Sequence, residues 1–232
     1  MSRRLILIRH GQTTYNATGR MQGHLDTQLS DDGVAQAESA GRLLVGQGIT
    51  RIVASDLSRA KMTAEIVGKQ LGVGITVDER LRETHLGEWQ GKTSAEVDAE
   101  YPGARAKWRH DPTWAPPGGE SRVEVAERAR PVIDEYMRKY SDWENNTVLV
   151  VAHGGAIAAL TCNLIDLRHE QYHMLSGLKN THWAQLTARP GFDPESSDMT
   201  VDFTPDTVDG ANWYFDGWNM GARVVGGSGA DV

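Results

Sequence analysis

Four short runs along the chain have the apolar pattern of buried β-strands. They span residues 5–8, 51–54, 75–77 and 147–152. The first and the last are almost entirely aliphatic, with no alternation between apolar and polar positions. Such runs are typical of strands that are covered on both faces, as in a parallel sheet.

Four other segments carry apolar residues at helical spacing and predict helices. They span residues 30–44, 60–71, 121–140 and 156–164. Ser30 is a typical N-cap residue, and Gly72 is a typical residue just past a helix end. Ser121 and Glu124 form the pattern of a capping box, in which each side chain bonds the other residue's backbone N–H. Thr93 and Glu96 repeat that pattern.

The order of these elements predicts the fold class. Strand and helix alternate at least three times, which favours an α/β fold: a three-layer sandwich with a mostly parallel central sheet and helices on both faces. Residues 82–119 are irregular and rich in Gly, Pro and Trp, and we expect a lid-like insertion there. We expect one domain over residues 1–232, with an edge hairpin after Arg189 that includes residues 213–215, and a flexible tail over residues 221–232.

Composition narrows the classes of function. Lys and Arg total 24 against 31 Asp and Glu, and the resulting net charge of −7 disfavours a nucleic-acid partner. The single cysteine, Cys162, excludes an intramolecular disulfide framework and suits a reducing compartment. No apolar run reaches the length of a membrane span or a signal-peptide core. We therefore expect a cytoplasmic protein with no membrane partner.

Two histidines follow predicted strands directly and precede glycine. Arg9-His10-Gly11 follows the first strand, and His153-Gly154-Gly155 follows the strand at 147–152. Ligands of open α/β sheets bind beyond the carboxyl ends of the strands, where glycine lets a ligand approach backbone N–H groups. Arg59 stands near a helix start at the same predicted edge, so Arg9 and Arg59 could clamp a phosphate between planar guanidinium groups.

These motifs resemble the histidine phosphatase superfamily, which contains cofactor-dependent phosphoglycerate mutases and many phosphatases. The resemblance covers about residues 4–188 in the family's order. It rests on four segments: Arg9-His10-Gly11, the Ser-Asp-Leu-x-Arg-Ala-x-x-Thr-Ala stretch at 55–64, Leu81-Arg82-Glu83, and Ala152-His153-Gly154-Gly155.

A second group of segments resembles one branch of this family, the phosphatases of glucosyl-3-phosphoglycerate. These segments span residues 20–27, 82–91, 113–116 and 119–123. The long insertion that follows the catalytic glutamate in the mutases has no counterpart here. The resemblance implies a phosphorylated small-molecule substrate, no cofactor and no metal, and a homodimer. A broad-specificity acid phosphatase and a cofactor-dependent phosphoglycerate mutase remain the alternatives within the family.

The resemblance also implies a role for each site residue. His10 would be the nucleophile that becomes phosphohistidine, and the charges of Arg9 and Arg59 should keep it unprotonated. His153 would be a further phosphate ligand, while Asn16 and Gln22 would hold the phosphate or the leaving group. Glu83 would protonate the leaving alkoxide and then take a proton from water. A bound phosphate dianion would favour the protonated form that the first step needs.

The sequence offers several candidates for binding the rest of such a substrate. Trp89, Trp108 and Trp114 have aromatic faces that suit a sugar ring, although packing the lid onto the sheet is an equally good interpretation. A substrate carboxylate could be bound by one of four basic residues in or near the lid: His85, Arg105, Lys107 and Arg109.

Two interpretations from other classes stay open at this point. His169-Glu170-Gln171-Tyr172-His173 matches the H-E-x-x-H zinc motif of metalloproteases, in which both histidines share a face of an α-helix. Alternatively, the chain could bind phosphate ligands without catalysis. The remaining candidates, His24, His110 and Cys162, are expected to pack in the core or lie at the surface.

Overall fold

Six strands form one central sheet in the computed structural model, which describes residues 2–191, 202–204 and 207–222. The strands are β1 (Arg3–Arg9), β2 (Ile49–Ala54), β3 (Ile75–Val77), β4 (Thr147–Ala152), β5 (Trp183–Arg189) and β6 (Asn212–Met220). Their order across the sheet is β3-β2-β4-β1-β5-β6. The four strands from β3 to β1 are parallel, whereas β5 and β6 pair antiparallel. The expected mixed α/β architecture is therefore confirmed.

Seven α-helices are present in the described part of the chain. They are α1 (Thr14–Ala17), α2 (Asp31–Leu44), α3 (Ser58–Leu71), α4 (Ser94–Glu100), α5 (Ala104–His110), α6 (Arg122–Lys139) and α7 (Gly154–Leu164). Short 3₁₀ helices span Glu79–Leu81, Gly87–Trp89, Ser141–Trp143 and His169–Met174. None of the helices in the described residues is both long and apolar enough to cross a membrane.

Helices cover both faces of the sheet, as the apolar runs predict. Side chains of α2 and α3 pack on one face against Ile6, Ile8 and neighbours on β2 and β4. Side chains of α6 and α7 pack on the other face against Leu5, Leu7 and different residues of β2 and β4. Successive strand residues point to opposite faces, so each aliphatic run contributes to both cores.

The predicted helix ends are present. The Ser30 hydroxyl accepts a hydrogen bond from the Gly33 N–H at the start of α2. Gly72 ends α3 in the left-handed region, with φ of 68°. Both capping boxes form, at α4 and at α6. These caps fix the starts of α2, α4 and α6 and the end of α3.

The C-terminal strands differ from the sequence prediction. The expected edge hairpin after Arg189 is in fact β6 pairing with β5. The strand β5 ends at Arg189 and also pairs with β1. The strand β5 escaped prediction because its alternating burial places polar Gln185 and Thr187 among apolar residues. Of the tail expected at 221–232, only residues 221 and 222 belong to the described part.

The segment expected as a lid has a small core of its own. Leu86, Trp89 and Val97 are buried together, and they are flanked by partly buried residues that include Trp108 and Trp114. The segment 82–119 thus contains α4, α5 and the 3₁₀ turn at Gly87–Trp89.

Candidate active site

Two adjacent parallel strands bring the two His-Gly motifs together. Arg9 at the end of β1 lies opposite Ala152 at the end of β4. The next residue on each strand is therefore a histidine, and the rings of His10 and His153 have centroids 5.2 Å apart. Both side chains are buried, at 2% and 0% exposure. The expectation that these histidines lie together at the carboxyl ends of their strands is correct.

Hydrogen bonding leaves one nitrogen of His10 available as a nucleophile. Its Nδ1 lies 2.7 Å from the carbonyl oxygen of Gly11, so Nδ1 must carry the proton and donate. Nε2 of the neutral ring then holds a lone pair. Burial, followed by the charges of Arg9 and Arg59, holds the pKa of His10 well below its usual range. The ring is therefore neutral at pH 7, as a nucleophile requires.

His153 has the opposite arrangement of ring nitrogens. Its Nε2 lies 2.9 Å from the Ser55 hydroxyl, whereas its buried Nδ1 has no hydrogen-bond partner within the described residues. Burial and then the charge of Arg59 hold the pKa of His153 well below its usual range. A buried polar atom without a partner is costly, and a bound ligand could satisfy it.

Two guanidinium groups, that of buried Arg59 and that of partly buried Arg9, supply positive charge at this end of the sheet. Arg59, at the start of α3, donates to the carbonyl oxygens of Gly23 (2.7 Å) and Leu25 (2.8 Å). Arg9 donates to the carbonyl of Leu178 at 2.6 Å. Burial, with a smaller contribution from the charge of Arg9, lowers the pKa of Arg59 to about 10. Because the two groups repel each other, an anion bound between them would be stabilised.

The carboxylate of Glu83 lies at the N-terminus of α7. It accepts hydrogen bonds from the backbone N–H groups of Thr84 (2.8 Å), Gly155 (3.1 Å) and Ala156 (2.9 Å). A helix N-terminus has free N–H groups and favours negative charge. A Cβ atom on Gly155 would lie 2.6 Å from Glu83 Oε1, which explains why glycine occupies this position. The second glycine of His-Gly-Gly thus makes room for the carboxylate.

Two side-chain amides are oriented by hydrogen bonds to their oxygens. The Asn16 Oδ1 atom accepts from the Thr13 N–H at 3.1 Å and from Asn180 Nδ2 at 3.3 Å. The Gln22 Oε1 atom accepts from the hydroxyls of Thr13 and Thr27. Each NH₂ group is thereby left to donate to a ligand, as a phosphate oxygen would require.

The structure therefore gathers the predicted site residues at one end of the sheet. The rings of His10 and His153 lie 5.2 Å apart, and the charge of Glu83 acts on both arginines. Thr13, a neighbour of the β1 end, contacts both predicted amides. The set predicted from the sequence is Arg9, His10, Asn16, Gln22, Arg59, Glu83 and His153.

Several residues that support the site were not predicted individually. Thr63 accepts a hydrogen bond from the Gly11 N–H at 3.1 Å, and Asn180 donates to the His10 carbonyl at 3.0 Å. Thr63 and Ser55 belong to the 55–64 motif, which therefore contained the signal for both. Asn180 precedes the unpredicted strand β5, so no pattern in the sequence indicated that it would reach the site.

His24 was expected to be a packing or surface residue, and the structure gives it a contact with the site. Its Nε2 atom lies 2.7 Å from the carbonyl oxygen of Glu83. Burial lowers the pKa of His24, so the ring is neutral and Nε2 donates this hydrogen bond. The only signal in the sequence was its place in the 20–27 segment.

The tryptophans proposed for sugar binding pack mainly against one another. Trp89 is fully buried, so it cannot stack on a substrate. Trp108 and Trp114 are half-buried, with ring centroids 5.9 and 5.7 Å from that of Trp89. Packing is thus the better interpretation for Trp89.

The candidate basic residues have separate partners. Arg105 pairs with Asp98 at 3.0 Å, and the Lys107 amine lies over the ring of Trp114. Arg109 is exposed. Among these candidates, His85 lies nearest the predicted catalytic glutamate in sequence. Its ring packs edge-on, at 4.8 Å, against the ring of His24, which contacts the Glu83 carbonyl.

The zinc-motif alternative does not fit the structure. His169 and His173 lie on the 3₁₀ helix His169–Met174 rather than on an α-helix. At three residues per turn, positions four apart do not share a face. No group of three His, Cys, Asp or Glu side chains among the described residues is arranged to hold a metal ion.

Comparison with known proteins agrees with this geometry. The model of the histidine phosphatase superfamily (branch 1) matches residues 5–193. A glucosyl-3-phosphoglycerate phosphatase of Mycolicibacterium vanbaalenii is 46% identical over 227 residues, which cover 96% of this chain and 97% of that protein.

Solved structures give the same result. A mycobacterial glucosyl-3-phosphoglycerate phosphatase in complex with VO3 is 45% identical, with a TM-score of 0.83 over 94% of this chain and 98% of that one. A complex of such a phosphatase with inorganic phosphate is 43% identical, with a TM-score of 0.83 over 96% of this chain and 100% of that one. On sequence, fold and site geometry together, this chain belongs to branch 1 of the histidine phosphatase superfamily.

Proposed function

We propose that this protein is a phosphomonoesterase that works through a phosphohistidine on His10. The observation that carries the proposal is the hydrogen bond from His10 Nδ1 to the Gly11 carbonyl, which leaves Nε2 free in a buried, cationic site. A covalent intermediate divides one slow hydrolysis into two easier steps.

In the first step, the lone pair of His10 Nε2 attacks phosphorus and the bond from phosphorus to the ester oxygen breaks. Arg9, Arg59 and the free Nδ1 side of His153 bind the phosphoryl oxygens, whose negative charge they stabilise. Asn16 and Gln22 donate from their NH₂ groups. Glu83, in its protonated form, gives its proton to the leaving alkoxide.

In the second step, water attacks the phosphohistidine and the bond between nitrogen and phosphorus breaks. Glu83, now a carboxylate, takes a proton from that water. Inorganic phosphate leaves, and His10 returns to its neutral form. The N–H groups at the start of α7 stabilise the carboxylate between these two proton transfers.

We propose glucosyl-3-phosphoglycerate as the substrate, with glucosylglycerate as the product. Support comes from two glucosyl-3-phosphoglycerate phosphatases that match almost the full chain at 46% identity. The test compares kcat/KM for glucosyl-3-phosphoglycerate, mannosyl-3-phosphoglycerate and 3-phosphoglycerate, since specificity is a ratio of these values. The glucosylated substrate should have the highest value. A higher value for 3-phosphoglycerate, or the interconversion of phosphoglycerates, would favour the mutase alternative.

We also propose that the protein is a cytoplasmic homodimer. A free, buried Cys162 is consistent with a reducing compartment. The outer edge of β6 pairs with no other strand of the described chain, and Tyr214 and Phe215 on this strand are exposed. Such an edge offers backbone groups to a second copy. Light scattering coupled to gel filtration tests the dimer, and a monomer at micromolar concentration would contradict it.

A further inference from the structure

One short loop contacts both the predicted phosphate site and the predicted proton donor. The carbonyl oxygens of Gly23 and Leu25 hold the guanidinium of Arg59. Between them, the ring of His24 donates from Nε2 to the carbonyl of Glu83 at 2.7 Å. Three consecutive residues thus link the group that would bind phosphate to the group that would protonate the leaving oxygen.

The carbonyl of Glu83 has a second donor, which fixes its direction. Arg128 on α6 donates to the same oxygen at 2.7 Å and pairs with Glu120 at 2.6 Å. Glu120 in turn accepts from the backbone N–H of His85 at 2.8 Å. His24 and Arg128 therefore hold the backbone of Glu83, and the carboxylate end is held by N–H groups of α7.

The ring of His24 is itself held in place. Its backbone N–H donates to Gln90 Oε1 at 2.6 Å, and its ring packs edge-on against His85. Gly23 has φ of 53°, and a Cβ there would lie 2.3 Å from the same Gln90 oxygen. The loop therefore sits directly on the lid segment, so the direction of the His24 Nε2–H bond is set by packing on both sides.

We propose that His24 is a positioning residue, which holds Glu83 where its carboxyl group can exchange a proton with the leaving oxygen. This inference rests on the proposed function, because it assumes that Glu83 is the proton donor. His24 does not touch the substrate in this account. Its effect should appear only in steps that need the proton of Glu83, since small displacements of a catalytic group carry a large cost in rate.

Leaving groups of different basicity provide the test. The variants His24→Gln and His24→Asn differ in reach: the Gln side-chain NH₂ can occupy the place of the ring Nε2–H, whereas the shorter Asn cannot. The readout is kcat/KM for an alkyl ester, glycerol 2-phosphate, and for p-nitrophenyl phosphate, whose leaving group departs without a proton. Since kcat/KM ends at the first irreversible step, it reports phosphoryl transfer to His10 and not the later attack of water.

The expected results separate the two variants. His24→Asn should lower kcat/KM for glycerol 2-phosphate by about tenfold to hundredfold, and that for p-nitrophenyl phosphate by less than about threefold. His24→Gln should restore most of the loss. Activity toward p-nitrophenyl phosphate also reports that the variant is folded. As a matched control, His182→Gln alters another ring that hydrogen-bonds a backbone carbonyl, that of Asn219, and should leave the ratio of the two substrates unchanged.

Two outcomes would overturn the inference. Equal losses for both substrates in His24→Asn would indicate a purely structural role, and no loss for either would show that Glu83 does not depend on His24. The variant Glu83→Gln distinguishes these failures from a failure of the proposed function. If Glu83→Gln lowers kcat/KM equally for both substrates, Glu83 is not the proton donor, and the proposed function is wrong at that step.

Discussion

The two buried histidines of the site differ in which ring nitrogen is already bonded. Nδ1 of His10 donates to a backbone carbonyl, whereas Nε2 of His153 contacts the hydroxyl of Ser55. Each ring therefore presents its other nitrogen to a ligand. For His10 this nitrogen would attack phosphorus, and for His153 it would bind a phosphoryl oxygen. The Gly11 carbonyl fixes the tautomer of His10, whereas the Ser55 hydroxyl, which can donate or accept, fixes the orientation of the His153 ring.

Removing the partner of His153 should therefore weaken phosphate binding. In Ser55→Ala, the ring of His153 loses the hydrogen bond that orients it. We expect kcat/KM to fall by about tenfold, because one such hydrogen bond contributes on the order of 1 kcal/mol. Inhibition by vanadate should weaken in parallel. Steady-state kinetics with p-nitrophenyl phosphate measures both.

The control for this change is Ser39→Ala, which removes a hydroxyl from α2. It should leave both values unchanged. If Ser55→Ala has normal kinetics and normal inhibition, the hydrogen bond between Ser55 and His153 is not needed for binding phosphate.

At the scale of elements, the site depends on how α2 approaches the loop after β1. A Cβ on Gly33 would lie 2.0 Å from the carbonyl oxygen of Gln12, and a Cβ on Gly11 would lie 2.3 Å from that of Gly33. The Ser30 N–H also donates to the Gln12 carbonyl at 2.9 Å. The first turn of α2 thus lies directly against the backbone that follows His10, with glycine on both sides of the contact.

The variant Gly33→Ala should separate these two backbones. Overpacking of this kind costs about 1–3 kcal/mol of unfolding free energy, and the displacement should also lower kcat/KM because the shifted segment follows His10. Denaturant unfolding and steady-state kinetics check the two effects.

Gly74→Ala is the matched control, because nothing lies within 4 Å of the added Cβ. Its unfolding free energy should change by less than about 0.5 kcal/mol. A Gly33→Ala protein with the stability and activity of the control would contradict the close approach.

Much of this framework was predictable from the sequence, and the failures have physical reasons. The strands that form the centre of the sheet are aliphatic runs, and the helix ends have standard caps, so β4, α2 and α3 were found with nearly correct bounds. The strand β5 is half-buried and alternates, and its partners are distant in sequence. The H-E-x-x-H pattern predicted an α-helix, but the observed turn at His169–Met174 is 3₁₀.

The site itself was predictable where a motif carried it. His10 and His153 meet because their strands are parallel neighbours, which the order of elements implies. His24 and Asn180 could not be found in this way, because each reaches the site through a loop whose path depends on packing. Trp89 could be assigned to the lid core only after its burial was known.

For the molecule as a whole, we propose that the chain folds as one domain. One sheet joins elements from Arg3 to Met220. The predicted site residues come from several segments near the carboxyl ends of its parallel strands. Folding that buries His10 and His153 as neutral rings makes global stability depend on pH.

The sign of this dependence follows from the lowered pKa values. Between the folded pKa of each ring and the unfolded value of about 6.5, the unfolded chain binds more protons than the folded one. The stability contributed by the neutral rings is therefore complete above about pH 6.5. Below that pH the free energy of unfolding should fall, by up to about 1.4 kcal/mol per pH unit for each buried histidine. Urea unfolding across this range measures the slope.

Replacing both rings isolates their contribution. In His10→Gln/His153→Gln, the unfolding free energy should depend less steeply on pH between about 7 and 5. The exposed His173 offers the control, and His173→Gln should keep the original slope. Carboxylates with a lowered pKa, such as Asp56 and Asp78, lose their contribution only at lower pH. An unchanged slope in the double variant would show that the two rings are not buried in the neutral form.

The most direct test of the central claim is to trap the phosphoenzyme. The protein is mixed with p-nitrophenyl phosphate, quenched in alkali, in which phosphohistidine survives, and digested for mass spectrometry. We expect one phosphoryl group on His10 in the original protein and in Glu83→Gln, where this leaving group needs no proton, and none in His10→Ala, which should also lack turnover. A phosphoryl group on another residue, or substantial turnover by His10→Ala, would contradict the account.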